Sequence, residues 1–242
     1  MTSRSRIDDE TGFLLHSYPW RETSLIVEVF SRHHGRVPMV AKGARRTGSM
    51  LRGVLMAFQP LELTWSGKGE VKTLHAAHWQ GGHALLGGIG LLCGYYLNEL
   101  LLRLLPREDA HPQLFDAYAH ALARLAAREA HEPVLRGFEL ALLREAGYAP
   151  LLDHDAERGA ALDADALYLY LTERGPVEAP PGAGQGDLPL LPGRVLLAMA
   201  ADDFSAPETL AHAKGLMRRL IHYHLGGQIL ESRRILMELQ AL

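Results

Sequence analysis

Phe13-Leu14-Leu15-His16-Ser17-Tyr18-Pro19, then Ser24-Leu25-Ile26-Val27-Glu28-Val29-Phe30, then Val37-Pro38-Met39-Val40-Ala41, is the stretch that decides the fold of the first third of the chain. Each run is short, rich in β-branched and aromatic residues, and bounded by turn formers, which is how strands read. His33-His34-Gly35-Arg36 makes a tight connection between the second run and the third. Two further runs, Pro60 to Trp65 and Val71 to Ala76, are joined by Ser66-Gly67-Lys68-Gly69, whose glycines supply positive φ. Five strands in so short a span imply a small closed barrel.

Beyond residue 84 the apolar period changes from two to about 3.6, which marks a boundary between domains. Phe115, Tyr118, Leu122 and Leu125 fall on one face of a helix that begins near Pro112. The next has Pro133 in its first turn, Leu135, Phe138 and Leu142 along it, and Gly147 as a suitable C′ residue. Ser205 and Glu208 have the spacing of a capping box, so a helix is expected from about Ala206 toward Leu225, ended by Gly226-Gly227. Ile229 to Leu239 forms a last amphipathic helix. Residues 150–194 break the pattern with an Asp/Ala/Gly-rich and then Pro/Gly-rich stretch, holding a short strand at Leu167 to Leu171, and read as an irregular, mobile excursion. The expected architecture is α+β in two domains: a flexible tail at 1–11, a five-stranded barrel at 12–83, and an all-helical domain at 84–242.

With 48% hydrophobic and 22% charged residues over 242 positions, the chain has the composition of a folded globular protein with material for two cores. The single Cys93 forms no internal disulfide and no thiolate zinc site by itself, and fits a reducing, cytoplasmic setting. The most apolar stretch, Ile89 to Leu105, is interrupted by Asn98, Glu99 and Arg103 and reads as a core helix rather than a membrane span. The first ten residues lack the apolar segment of a secretory signal.

The net charge of −3 hides an asymmetry, because residues 1–80 hold eleven Lys and Arg against seven Asp and Glu, and the remainder is acidic. Between Glu28 and Glu62 there is no carboxylate, yet Arg32, Arg36, Lys42, Arg45, Arg46 and Arg52 all fall there. Lys42-Gly43-Ala44-Arg45-Arg46 joins cations to small residues, so a phosphate backbone could approach closely and release its counterions. Tyr18, Trp20 and Phe58 are aromatics on which unpaired bases could stack. A solvated basic face over a core that uses those aromatics, with the barrel binding protein instead of nucleic acid, is the alternative.

No G-x-S-x-G, P-loop or H-E-x-x-H motif is present, and no cofactor is implied. Gly87-Gly88-Ile89-Gly90 lacks the phosphate-loop Lys and reads as a helix entry. Asp153-His154-Asp155 and His222-Tyr223-His224 are weak metal half-sites, the second because i and i+2 diverge on a helix. Arg136, beside Leu135, Phe138 and Leu142, is a cation at the rim of an apolar helix face. Such a rim suits a peptide that ends in acidic and aromatic residues; an intrahelical pair with Glu132 or Glu139 is the other reading.

The runs Phe13 to Leu25, His34-Gly35-Arg36 and Val40-Ala41-Lys42-Gly43-Ala44-Arg45-Arg46 resemble the N-terminal domain of RecO, a bacterial recombination mediator family, and Gly69 to Leu74 continues the likeness. Tyr96 to Leu101, Arg136 with Phe138 to Leu143, Gly147-Tyr148, Leu225-Gly226-Gly227 and Ser232-Arg233 carry it to the end of the chain. The resemblance implies an OB-fold that binds single- and double-stranded DNA, a helical domain, no enzymatic activity, and a nucleoid-associated role. It implies three protein partners: the C-terminal tail of single-stranded DNA-binding protein (SSB), RecR, and through them RecA. Arg21, Arg36, Lys42, Arg45, Arg46, Arg52, Lys68 and Lys72 are the expected DNA-contacting residues, and Leu135 with Arg136 the expected tail-binding pair. The chain departs from family members that carry a four-cysteine zinc module after Gly147-Tyr148, since residues 149–190 contain no Cys, and it is similar to the zinc-free branch.

Overall fold

The computed structural model describes residues 6–82, 84–180, 182–183 and 188–240. Five strands, β1 (Arg6–Trp20), β2 (Ser24–Ser31), β3 (Gly35–Ala41), β4 (Pro60–Ser66) and β5 (Lys72–Trp79), close into a barrel in the order β1-β2-β3-β5-β4. All pairs are antiparallel except β3 with β5, where Met39 stands beside Lys72. This is the OB-fold arrangement. Leu14, Val27, Val29, Val37, Met39, Leu61, Leu63 and Trp65 fill the interior. Between β3 and β4 the chain makes α1 (Met50–Val54), one turn of helix too short to leave a period in the sequence.

The first strand begins at Arg6, which corrects the expectation of a frayed tail through residue 11; residues 1–5 of that tail lie outside the described residues. Arg6 to Thr11 pairs with β4 across a register shift between Ile7 and Glu10, and Asp9 takes a positive φ there. The segment looked like a tail because it carries Arg6, Asp8, Asp9 and Glu10, of which only Glu10 is buried. Glu10 is buried and accepts a 2.7 Å hydrogen bond from the amide of His33.

A second shift, between Leu14 and His16, explains why Phe13, Leu14 and Leu15 are buried in succession. Leu14 faces the barrel interior, whereas Phe13 and Phe30 face outward against Phe115 and Tyr118. Those two belong to α3 (Pro112–Ala126), which follows α2 (Gly88–Leu104). Asn98 of α2 donates a 2.8 Å hydrogen bond to the Leu15 carbonyl and accepts one of 2.5 Å from the Tyr118 hydroxyl, so the buried amide is satisfied by strand and helix together. The α2–α3 connection lies along the β2–β3 turn. Glu108 N donates to Arg36 O, Arg107 pairs with buried Glu28, and Gly35, at φ +65°, leaves no room for a Cβ, which would stand 1.8 Å from Asp109 O. The last helix, α7 (Glu231–Gln240), is capped by Glu99 of α2, whose carboxylate accepts from the amides of Glu231 and Ser232 at 2.9 Å. The chain accordingly divides into two compact units: Met1–Glu129 with Leu230–Leu242, and Ala130–Ile229. The boundary expected near residue 84 marks the change of period. The first packing unit extends to Glu129 because the outer face of the barrel is apolar and α2 and α3 cover it.

The second unit contains α4 (His131–Glu145), α5 (Gly193–Ala200) and α6 (Pro207–His224). Helix α4 ends as expected: Gly147 has φ +82°, and Tyr148 N donates back to Leu143 O. The expected all-helical domain needs correction. Residues 150–194 carry a three-stranded sheet, β7 (Gly175–Glu178), β6 (Leu167–Leu171) and β8 (Leu190–Pro192), in that order, with Tyr168 and Tyr170 buried. Asp155 accepts hydrogen bonds from the amides of Glu157, Arg158 and Glu178, tying the polar loop to the sheet. The capping box does not form: the Ser205 hydroxyl donates to Asp203, and Glu208 pairs with Arg194.

Candidate nucleic-acid interface

After β3 the basic loop folds as successive tight turns, with Ala44 N bonded to Ala41 O, Arg46 N to Gly43 O, Ser49 N to Arg46 O, and Arg52 N to Ser49 O. Gly43 at φ +70° permits the first of these. Ala44 is buried and plugs the loop into the barrel core. Arg45 N donates 2.9 Å to Thr23 O, which fastens the loop to the β1–β2 turn that carries Arg21 and exposed Trp20. Arg21, Lys42, Arg45, Arg46 and Arg52 are exposed, and among the described residues none of them has a carboxylate partner. The turn also carries Glu22, which is exposed. Loop and turn together form a pre-folded surface with five cations that have no carboxylate partner among the described residues, able to take anions without first being ordered.

Three other cations of the barrel are committed elsewhere. Arg36 directs its guanidinium at the Leu102 carbonyl and lies beside Glu28; burial lowers its pKa, partly opposed by Glu28. Lys72 is held by Glu108 at 2.5 Å and by Gly69 O at 2.9 Å. Arg32 forks onto Asp116. Arg36 and Lys72 therefore lie apart from the loop cluster, each held by partners of its own. Lys68 is exposed on the β4–β5 turn. Tyr18 and Trp20 are both about two-fifths exposed, whereas Phe58 is buried edge-on to Tyr95 and is core rather than a stacking platform.

In the second unit, Arg136 lies buried on α4 and donates 2.6 Å to fully buried Glu139, so the intrahelical pair is formed. Its Nε has no hydrogen-bond acceptor among the described residues, and Leu135 is half-buried beside it. Glu132 is drawn instead to Lys214 at 2.8 Å. Asp155 serves the turn described above, and His224 stacks on Tyr148 with its pKa lowered by burial. No group of three or more His, Cys, Asp or Glu among the described residues is arranged to hold a metal. No described helix is long and apolar enough to cross a membrane.

Two family models match, recombination protein O N terminal over residues 7–82 and recombination protein O C terminal over residues 88–234. The chain belongs to the RecO family. Its relatives include the DNA repair protein RecO of Azoarcus sp. (strain BH72), 58% identical over the whole of both chains, and that of Aromatoleum aromaticum, 57% identical over the whole of both. The DNA repair protein RecO of Dechloromonas aromatica is 54% identical, again over both full lengths. The RecO family match thus spans both the barrel and the helical part. Residue patterns in this RecO-family chain did not reveal Thr23 as the loop's anchor, nor Leu51 and Leu55 beneath it. A backbone carbonyl leaves no sequence signal, and five helical residues leave no period.

Proposed function

We propose that Arg21, Lys42, Arg45, Arg46 and Arg52 hold the phosphates of single- and double-stranded DNA without regard to sequence, with Lys68 extending the contact. In this reading the protein is a mediator of recombination, not an enzyme, and works at the nucleoid. It anneals complementary strands and, with RecR, helps RecA load onto single strands covered by SSB. The observation that carries the reading is the basic loop, pre-folded on Thr23 and, among the described residues, free of carboxylate partners. Replacing Lys42, Arg45 and Arg46 by Ala should weaken binding of a labelled oligonucleotide. It should also flatten the plot of log affinity against log salt by up to about 2, at roughly 0.7 per lost phosphate contact on a single strand. Unchanged anisotropy titrations at two salt concentrations would remove the site and favour a protein-binding barrel.

For the second unit we propose that Leu135 and Arg136 take the acidic, aromatic C-terminal tail of SSB. The buried Nε of Arg136, without an acceptor among the described residues, supports this. The test uses Arg136→Met with Glu139→Leu, which removes both charges together; tail-peptide affinity equal to that of the unaltered protein would count against the pocket.

A further inference from the structure

Leu25 at the start of β2, Ala44 and Arg45 in the basic loop, and Leu51, Arg52 and Leu55 in and just after α1 line one depression of about 240 Å³. That is below the roughly 300–1,000 Å³ of ordinary small-molecule sites, a size for one ring system rather than a cofactor. Its floor is aliphatic: Leu25, Leu51 and Leu55 pack from outside onto the barrel core and remain half-buried. Its rim is cationic, Arg45 and Arg52 both being exposed and, among the described residues, without carboxylate partners. Phosphates need the rim but gain nothing from an apolar floor. A planar base attached to two phosphates uses both, and an unpaired base enters without the unpairing and unstacking cost that a duplex base would incur.

We infer that this depression takes one unpaired nucleobase, buried against Leu25, Leu51 and Leu55, while Arg45 and Arg52 hold the flanking phosphates. The inference rests on the DNA-binding reading above and adds to it a preference for single strands. A duplex presents the same phosphates to the cations but keeps its bases stacked.

The test compares a single-stranded oligothymidylate with a deoxyribose-phosphate oligomer of equal length that carries no bases, at a salt concentration high enough to weaken the phosphate contribution. The unaltered protein should prefer the strand with bases by about fivefold, the factor expected from burying roughly 40 Å² of apolar surface. Leu51→Ala with Leu55→Ala, checked for an intact thermal transition, should bring the ratio close to one, whereas Lys42→Ala should weaken both strands alike and leave the ratio standing. As a readout that needs no variant, one 2-aminopurine in the oligothymidylate should brighten on binding as it moves from its neighbours into an aliphatic site. Equal affinity of the two oligomers for the unaltered protein overturns the inference. So does a preference that survives loss of the two leucines and disappears in Trp20→Ala, which would place the base on the exposed ring. Failure to bind either oligomer at any salt would instead defeat the DNA-binding reading itself.

Discussion

Glu139 is fully buried on α4, and its charge is balanced through Arg136. Taking away one partner of such a pair leaves an uncompensated charge in low dielectric, so Arg136→Ala is expected to destabilise the fold by about 3–5 kcal/mol. Arg136→Met with Glu139→Leu should restore most of that stability. Urea unfolding midpoints of the two variants check this, and a single variant as stable as the double would contradict it. The pair also bears on the proposed tail pocket, because weakened tail binding by Arg136→Ala alone would mix a lost contact with a loosened helix. At this scale the basic stretch was legible, since the lack of carboxylates between Glu28 and Glu62 is a property of the sequence itself. Which of its cations are uncommitted was not. Arg36 is drawn to Leu102, Arg32 to Asp116 and Lys72 to Glu108, partners far along the chain that only the fold brings near.

Helix α7 hangs on the carboxylate of Glu99, which accepts from the Ser232 hydroxyl at 2.6 Å as well as from the two amides. Burial alone would raise the Glu99 pKa, but the Ser232 hydroxyl, the amides of Ser232 and Glu231, and Arg103 outweigh it and hold the carboxyl below its usual range. A carboxylate with a lowered folded pKa contributes fully above the unfolded value of about 4.3, and its contribution is lost as pH falls through the lowered value. Amide exchange in α7 is therefore expected to quicken selectively below about pH 4. Glu99→Gln should bring that faster exchange to neutral pH, at a cost of about 1.5–3 kcal/mol for hydrogen bonds to a charged group. Uniform α7 protection in the variant would show that packing, not the cap, holds the helix. The main helices and all five barrel strands were readable because each holds a stretch long enough to show a period. The start of β1 was hidden by its charges, and β7 and β8, of four and three residues, are too short for alternation to appear.

The barrel is closed by its own hydrogen bonds yet is not complete without the helices that follow it. Phe13, Leu15 and Phe30 are at most 3% exposed, although they lie outside the interior core cluster, with Phe13 and Phe30 against the rings of α3 and Leu15 bonded to α2. Uncovering three such side chains forfeits roughly 5–9 kcal/mol at 1.5–3 kcal/mol each, comparable with the whole stability of an ordinary domain. Glu28 would also lose Arg107, and the amide of Asn98 would no longer meet Leu15. A fragment of residues 1–83, which carries every cation of the proposed DNA surface, is therefore expected to show no cooperative thermal transition and to bind a hydrophobic dye. A fragment of residues 1–129 regains α2 and α3 and should melt cooperatively, though below the full chain because α7 is missing. Differential scanning calorimetry of the two fragments decides the matter. A sharp transition in residues 1–83 near that of the full chain would mean that the strands alone make the folding unit, and that the helices cover a surface that does not need them.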